Sequence, residues 1–152
     1  MLENFHSISE FVCSSDLPTD ERDANFINSQ GIKVVISLHD LPKKIKQNFD
    51  ELGVERISFI LIDYSAPTLS QAQDFIKVMQ ECMVLGKKVL IHCLAGCGRT
   101  GTMLAVYYIG LYGWSYEKAR WDILTIESPA QHKFLHDNEK ELQEFGCTIK
   151  QV

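Results

Sequence analysis

The sequence has 152 residues, a formal net charge of −5 and five cysteines. This length fits one compact domain, so we expect a single domain over residues 1–152. The acidic balance argues against nucleic acid or an anionic membrane as a partner, because both require a basic surface. The odd cysteine count does not indicate a disulfide scaffold, and no signal peptide is visible. We therefore expect a cytoplasmic monomer without membrane attachment, with a nuclear location left open.

The first half of the chain alternates predicted strands and helices. The predicted elements are a short strand Ile8–Val12, a helix Asp20–Ser29 ended by Gly31, a strand Ile32–Leu38, an ambiguous amphipathic segment Pro42–Leu52 and a strand Val54–Ile62. Ile32–Leu38 is rich in β-branched residues, as is typical of a buried strand.

The second half begins with a Pro-containing loop, Asp63–Leu69, and continues mainly as helices. The predicted elements are a helix from Ser70 to Gly86 with a capping box of Ser70 and Gln73, a strand Lys88–His92, a helix Thr100–Tyr112, a helix from Ser115 to about Glu127 and a last helix, N-capped by Ser128, to about Phe145. This order predicts an α/β fold with a central, mostly parallel sheet of about four to five strands and helices on both faces.

The segment from His92 to Gly101 combines a strand end, a glycine-rich turn and a helix start. Open α/β sheets bind ligands at the carboxyl ends of strands, so the position alone favours a site here. Gly96 and Gly98 allow backbone N–H groups to converge at a helix N-terminus, an arrangement that binds anions. Arg99 adds a planar guanidinium suited to two phosphate oxygens. The segment therefore predicts a phosphate-binding loop.

Cys93 lies where this positive potential would act, so its thiol is expected to exist largely as the thiolate. A thiolate in line with a bound phosphorus is a nucleophile for phosphoryl transfer. Asp63 follows a predicted strand and should lie at the same sheet edge, where its carboxylic acid would protonate the departing oxygen. As a carboxylate, it would then activate the water that hydrolyses the phosphocysteine.

The pattern His92-Cys93-x5-Arg99-Thr100 resembles the signature of the protein tyrosine phosphatase superfamily. The short chain, the Asp63–Pro67 loop and the Gly101-Thr102 continuation are most similar to its small dual-specificity branch. Weaker similarity extends over Phe11–Pro18, Gly31–Leu38 and Ser128–His132. The resemblance implies a dual-specificity phosphatase-like fold over most of the chain.

The same resemblance implies catalytic roles for four residues and an orienting role for a fifth. Cys93 would be the nucleophile, Arg99 the phosphate clamp, and Asp63 the general acid and then the general base. Thr100 would donate a hydrogen bond to the Cys93 sulfur and help it leave in the second step. His92 would orient the loop through hydrogen bonds without touching the substrate.

The resemblance also implies supporting roles. The amides that would cradle the phosphate belong to Leu94, Ala95, Gly96, Cys97, Gly98 and Arg99. Gln131 stands where some members of the family keep a glutamine that places the attacking water, although a capping box with Ser128 accounts for this residue as well. No metal or organic cofactor is implied.

Two other sites compete for the same residues. Gly96–Gly101 also matches the dinucleotide-binding pattern G-x-G-x-x-G. However, too few residues follow for more sheet, and the acid about 20 residues on, Asp122, falls inside a predicted helix. His92, Cys93 and Cys97 suggest zinc, but no fourth ligand is near. Cys97 is either a small loop filler or a thiol that pairs with Cys93 on oxidation.

The absence of charged side chains in the predicted phosphate loop indicates the class of substrate. Leu94, Ala95 and Cys97 are uncharged, whereas relatives acting on highly phosphorylated inositol lipids tend to carry lysines there. The chain also lacks room for the inserted loops that build a deep phosphotyrosine pocket in larger relatives. We therefore expect a phosphorylated protein as substrate, with phosphotyrosine and phosphoserine or phosphothreonine both accepted. The alternatives are a catalytically weak phosphate-binding module, or a phosphatase of phosphoinositides or RNA 5′-phosphates.

Overall fold

A computed structural model describes residues 2–95 and 98–150 of the chain. The chain divides into two compact units. The first contains the described residues of Met1–Ile60 and Cys82–Gly96, and the second contains those of Leu61–Glu81 and Cys97–Val152. The assignment of residues 1–152 to a single phosphatase domain stays a prediction.

The first unit is built on a five-stranded sheet. Its strands are β1 (His6–Ser7), β2 (Val12–Ser15), β3 (Ile32–Ser37), β4 (Glu55–Ser58) and β5 (Lys88–His92). They lie in the order β1-β2-β5-β3-β4. β1 is antiparallel to β2, and the other three pairings are parallel. The predicted α/β class with a mostly parallel sheet is confirmed.

The central strands are buried on both faces. In β3, Val34, Val35 and Ile36 are fully buried, although successive side chains of a strand point to opposite sides. Continuous apolar runs of this kind are typical of parallel strands, and full burial of each such side chain contributes about 1.5–3 kcal/mol. This packing fixes the direction and the register of the strands that lead to the site.

Two helices of the first unit pack against the sheet. They are α1 (Glu21–Ser29) and α2 (Lys43–Leu52). Asp20 caps α1 by accepting a hydrogen bond from the Asp23 amide. The ambiguous segment after Pro42 is α2, which ends at Gly53 in a left-handed conformation with φ of 73°. The core between these helices and the sheet includes Ile27, Val35, Ile45, Phe49 and Leu90.

The second unit is helical. Its helices are α4 (Gly98–Tyr112), α5 (Tyr116–Asp122), α6 (Pro129–Asp137) and α7 (Glu139–Lys150), together with residues 69–81 of α3 (Leu69–Val84). α4 is buried along almost its whole length and contacts α5, α6 and α7. Gly146 lets α7 approach α4 closely, because a Cβ at position 146 would collide with the backbone of Gly110 in α4. No helix within the described ranges is long and apolar enough to cross a membrane.

Two strand predictions are wrong at their boundaries. The first predicted strand, Ile8–Val12, is mostly a turn, in which the amides of Ile8 and Ser9 donate to the Val12 carbonyl. The strand predicted for Val54–Ile62 ends at Ser58. Ile60 and Ile62 are 50% and 81% exposed, whereas Leu61 between them is buried, so the apolar run continues beyond the end of the strand.

Three helix predictions also need correction. The capping box at the start of α3 is formed by Thr68 and Gln71, which exchange hydrogen bonds of 2.8 and 3.1 Å, and not by Ser70. The helix expected to reach about Glu127 ends at Asp122. The predicted last helix is two helices, which meet at Asn138, where the backbone leaves the helical conformation with φ of −112° and ψ of 10°; α7 then runs to Lys150 rather than to Phe145.

Candidate active site

Three parallel strands of the first unit end together at His92. Ser15 at the end of β2 and Ser37 at the end of β3 both pair with His92 in β5. The carboxyl ends of these strands therefore share one sheet edge, and the chain continues from β5 directly into Cys93. This placement agrees with the expectation of a site at the strand ends.

His92 is completely buried and hydrogen-bonded through both ring nitrogens. Nδ1 lies 3.0 Å from the Cys93 carbonyl oxygen, which only accepts, so Nδ1 carries the proton. In the neutral ring, Nε2 then accepts from the Ser37 hydroxyl at 2.7 Å. His92 thus links β3 to the backbone of Cys93, the kind of contact that its predicted orienting role requires.

Cys93 opens the predicted phosphate loop and is 2% exposed. The next residue, Leu94, is 48% exposed, and its carbonyl accepts a hydrogen bond of 3.1 Å from the Leu17 amide. Ala95 is also exposed. Gly96 and Cys97 lie outside the described residues, and with them the predicted amide contacts at these two positions and the question of a Cys93–Cys97 pair.

The second unit contains the other end of the motif, at the start of α4. Gly98 has no room for a side chain, because a Cβ would lie 2.8 Å from Glu127 Cβ and 2.9 Å from Gln131 Oε1. The Thr100 hydroxyl is buried and has no hydrogen-bond partner among the residues that the structure describes. Its predicted hydrogen bond to the nucleophile stays a prediction.

Arg99 and Asp63 come together within the second unit. Arg99 is 5% exposed; its Nη1 donates to the Leu61 carbonyl at 3.0 Å, and its Nε lies 3.6 Å from Asp63 Oδ1. The Asp63 side chain is 55% exposed. The two residues are separated by 35 others in the sequence, and the fold places the predicted clamp beside the predicted acid. The carbonyl of Leu61 is a contact that the sequence did not indicate.

The loop after Asp63 turns sharply. Tyr64 has φ of 63°, the left-handed region, which costs a residue with a side chain about 1–3 kcal/mol unless its surroundings enforce it. The Tyr64 amide lies 3.0 Å from Asp63 Oδ1, and the Ser65 amide donates to the Ile62 carbonyl at 3.0 Å. The acid therefore lies at the apex of a tight, strained turn.

Ser128 and Gln131 contact the same loop from α6. The predicted capping box is confirmed: the Ser128 hydroxyl accepts from the Gln131 amide, and Gln131 Oε1 accepts from the Ser128 amide. In addition, the Ser128 hydroxyl donates to the Tyr64 carbonyl at 2.6 Å, and Gln131 Nε2 donates to the Ser65 carbonyl at 3.3 Å. The sequence indicated the cap but not these two contacts.

The described residues hold no obvious metal site. Within residues 2–95 and 98–150, no three His, Cys, Asp or Glu side chains come together as metal ligands would. The absence of a cofactor stays a prediction from the resemblance of the motif.

Comparisons with known sequences point to one family. A sequence profile described as "Polymorphic toxin system, DSP-PTPase phosphatase" matches residues 16–111. The human protein named phosphatidylglycerophosphatase and protein-tyrosine phosphatase 1 is 28% identical over 149 residues, which cover 91% of this chain and 74% of that protein. Human dual specificity protein phosphatase 22 is 26% identical over 127 residues, which cover 83% of this chain and 65% of that protein. The tyrosine-protein phosphatase CDC14 of Saccharomyces cerevisiae is 27% identical over 121 residues. That match covers 76% of this chain but only 22% of the length of CDC14.

Solved structures support the same fold. The active form of Tk-PTP superimposes with a TM-score of 0.79 at 28% identity, covering 92% of this chain and 96% of that one. The crystal structure of PTPMT1 gives a TM-score of 0.77 at 25% identity, covering 95% and 99%. Both similarities extend over nearly the whole of each chain.

Proposed function

The chain belongs to the DSP-PTPase phosphatase family and is a cysteine-dependent phosphatase, and we propose that it removes phosphate from phosphotyrosine and from phosphoserine or phosphothreonine in proteins. The observation that carries the proposal is the approach of Arg99 to Asp63, 3.6 Å between Nε and Oδ1. It supports a phosphate clamp and a proton donor acting on the same phosphate ester.

The first step forms the phosphocysteine. The amides of residues 94–99 and the Arg99 guanidinium hold the phosphate, and the Cys93 thiolate attacks the phosphorus. A sulfur–phosphorus bond forms while the bond from phosphorus to the substrate oxygen breaks. That oxygen takes the proton of the Asp63 carboxylic acid and leaves as a neutral alcohol or phenol.

The second step releases phosphate. The Asp63 carboxylate takes a proton from a water molecule, and the water oxygen attacks the phosphorus of the phosphocysteine. The sulfur–phosphorus bond breaks, and Cys93 returns to the thiolate. The buried Thr100 hydroxyl stabilises the departing sulfur by donating a hydrogen bond to it. Inorganic phosphate then leaves.

The preference for proteins rests on the chemistry of the loop. Leu94 and Ala95 are exposed and uncharged, and the chain has a net charge of −5. These uncharged side chains cannot balance the additional negative charges of a substrate with several phosphates. The similarity to a dual specificity protein phosphatase over 83% of the chain supports the same choice.

A lipid phosphate is the second candidate. Its support is the similarity over 91% of the chain to a relative whose name includes phosphatidylglycerophosphatase. Ile62 and Tyr64, on either side of Asp63, are 81% and 59% exposed, and such apolar side chains suit a substrate with an apolar part.

A substrate panel tests both candidates. Wild type and Cys93→Ser would be offered a phosphotyrosine peptide, a phosphothreonine peptide, phosphatidylglycerophosphate, a phosphoinositide and a 5′-triphosphorylated RNA, with phosphate release as the readout. We expect the highest kcat/KM on the peptides and none with Cys93→Ser. A higher value on either lipid would replace the protein assignment, and peptide binding without hydrolysis would leave only a phosphate-binding module.

A further inference from the structure

The loop that carries Asp63 is held by three of its backbone carbonyls. The Leu61 carbonyl accepts from Arg99, the Tyr64 carbonyl from Ser128, and the Ser65 carbonyl from Gln131. Asp63 lies between the first carbonyl and the other two. All of these residues belong to the second unit. The backbone is therefore restrained on both sides of the acid.

The Ser128 hydroxyl is committed to two partners. It accepts from the Gln131 amide at 3.2 Å and donates its single proton to the Tyr64 carbonyl at 2.6 Å. The first bond caps α6, and the second crosses to the loop. One hydroxyl therefore couples the start of α6 to the residue after Asp63.

The Gln131 amide has a fixed orientation. Its Oε1 accepts from the amides of Glu127 and Ser128 at 3.0 and 2.9 Å, which identifies this atom as the oxygen. Its Nε2 therefore faces the loop and donates to Ser65. Gln131 is completely buried, and the side-chain oxygen that could otherwise accept from a catalytic water already has two protein donors.

The turn needs such support. Tyr64 adopts the left-handed region, which a tyrosine leaves when it is unrestrained. Its side chain is 59% exposed, and Asp63 is 55% exposed with an ion-pair distance of 3.6 Å. The position of the acid therefore depends on the backbone more than on packing of the two side chains.

From these contacts we propose that Ser128 and Gln131 are positioning residues for the general acid: through the Tyr64 and Ser65 carbonyls, α6 holds Asp63 where it protonates the leaving oxygen. This inference rests on the proposed function and assigns Gln131 to the first step, formation of the phosphocysteine. Loss of the restraint would displace the acid without removing it, and misplacement by about 1 Å costs up to about 100-fold in rate.

The test compares two leaving groups. Phenyl phosphate needs protonation of the departing oxygen far more than p-nitrophenyl phosphate does. For Ser128→Ala we expect kcat on phenyl phosphate to fall about 10- to 100-fold, with a much smaller change on p-nitrophenyl phosphate. Ser128→Thr keeps the hydroxyl and should restore most of the loss. Ser115→Ala is the matched control, because Ser115 caps α5 by accepting from the Lys118 amide.

Hydrogen exchange gives a readout that does not depend on turnover. Ser128→Ala should accelerate amide exchange in residues 61–66 relative to wild type and to Ser115→Ala. Gln131→Glu keeps the capping acceptor and loses the donor to Ser65, so it should show the same acceleration and the same leaving-group selectivity. Thermal unfolding would establish that each variant is folded at the assay temperature.

Several results would overturn the inference. If Ser128→Ala lowers kcat equally on phenyl phosphate and on p-nitrophenyl phosphate, or leaves amide exchange in residues 61–66 unchanged, then Ser128 does not position the acid. A burst of product and accumulated phosphocysteine in Gln131→Glu would assign Gln131 to the second step instead. If wild type hydrolyses neither phosphate, the proposed function itself fails; if wild type is active and Ser128→Ala matches it, only the inference fails.

Discussion

Arg99 Nε lies 3.6 Å from Asp63 Oδ1, so the residue that clamps phosphate in the proposed mechanism lies beside the carboxyl that protonates the leaving group. The guanidinium is 5% exposed and the carboxyl 55% exposed, so the pair reaches solvent on the Asp63 side. A phosphate bound to Arg99 would bring its negative charge close to this carboxyl. The acid and the clamp are therefore coupled electrostatically as well as chemically.

This coupling predicts opposite effects of one substitution. The ionised form of Asp63 places a negative charge next to Arg99, which Asp63→Asn removes, and such a charge pair is worth roughly 1 kcal/mol in a solvent-like environment. Inorganic phosphate should therefore inhibit Asp63→Asn about 3- to 10-fold more strongly than wild type. Turnover of phenyl phosphate should fall about 100-fold or more, because the proton donor is lost.

Competitive inhibition constants measure the first effect. Asp74→Asn is the charge-matched control, since Asp74 is an exposed residue of α3. Unchanged or weaker phosphate inhibition in Asp63→Asn would contradict the coupling.

Replacing the clamp should abolish most of the activity even when the charge is kept. Arg99→Lys removes the planar pair of donors and the hydrogen bond to the Leu61 carbonyl. We expect kcat/KM on p-nitrophenyl phosphate to fall by about 100-fold or more. Arg120→Lys, at an exposed position on α5, should change it less than twofold. An Arg99→Lys enzyme within about threefold of wild type would be incompatible with bidentate binding.

The buried contact between Ser37 and His92 should contribute to stability. Ser37→Ala removes the hydroxyl that lies 2.7 Å from His92 Nε2, and a typical hydrogen bond within a protein contributes a net stabilisation of roughly 0.5–1.5 kcal/mol. The free energy of unfolding, measured with urea, should fall by that amount. Ser58→Ala, at an exposed position of β4, provides the comparison. Equal stabilities of the two variants would show that the contact contributes little.

Asp20 should make α1 sensitive to acid. The hydrogen bond from the Asp23 amide lowers the pKa of the Asp20 carboxyl below its ordinary value of 3.8. Its stabilising contribution is therefore fully present above that value and is lost as the pH falls through the lowered pKa. Asp20→Asn keeps a capping side chain but does not titrate, so the stability difference between wild type and this variant should shrink below about pH 4. Thermal unfolding between pH 2 and pH 7 measures this difference, and a constant difference would refute the assignment.

The parts of the fold with strong local patterns could be predicted from the sequence. The β-branched run of β3, the strand before Cys93 and the N-cap of α6 at Ser128 all specify their structure locally. In the chain after Ser58, the local sequence pattern does not predict the structure. The apolar residues there predict more strand, but the strand ends at Ser58 and both Ile60 and Ile62 are exposed, so periodicity alone does not reveal that the sheet has ended.

The contacts that organise the site are not visible in the sequence. Ser37 and His92, 55 residues apart in the sequence, meet through the register of β3 and β5. Arg99, Ser128 and Gln131 donate to backbone carbonyls of the loop that carries Asp63. Because every residue has a backbone carbonyl, the sequence does not show which carbonyls accept these hydrogen bonds. The motif predicts which residues react, whereas the three-dimensional packing determines which residues hold them.

A phosphocysteine at Cys93 is the intermediate on which the proposed mechanism depends, and it can be detected directly. Wild type and Cys93→Ser would be mixed with p-nitrophenyl phosphate, quenched in acid within milliseconds, digested and analysed by mass spectrometry. We predict one added phosphoryl group on the peptide containing Cys93 in wild type, formed as fast as the first nitrophenol is released, and none in Cys93→Ser. Nitrophenol release by wild type without phosphorylated Cys93, or release at the same rate by Cys93→Ser, would contradict the mechanism.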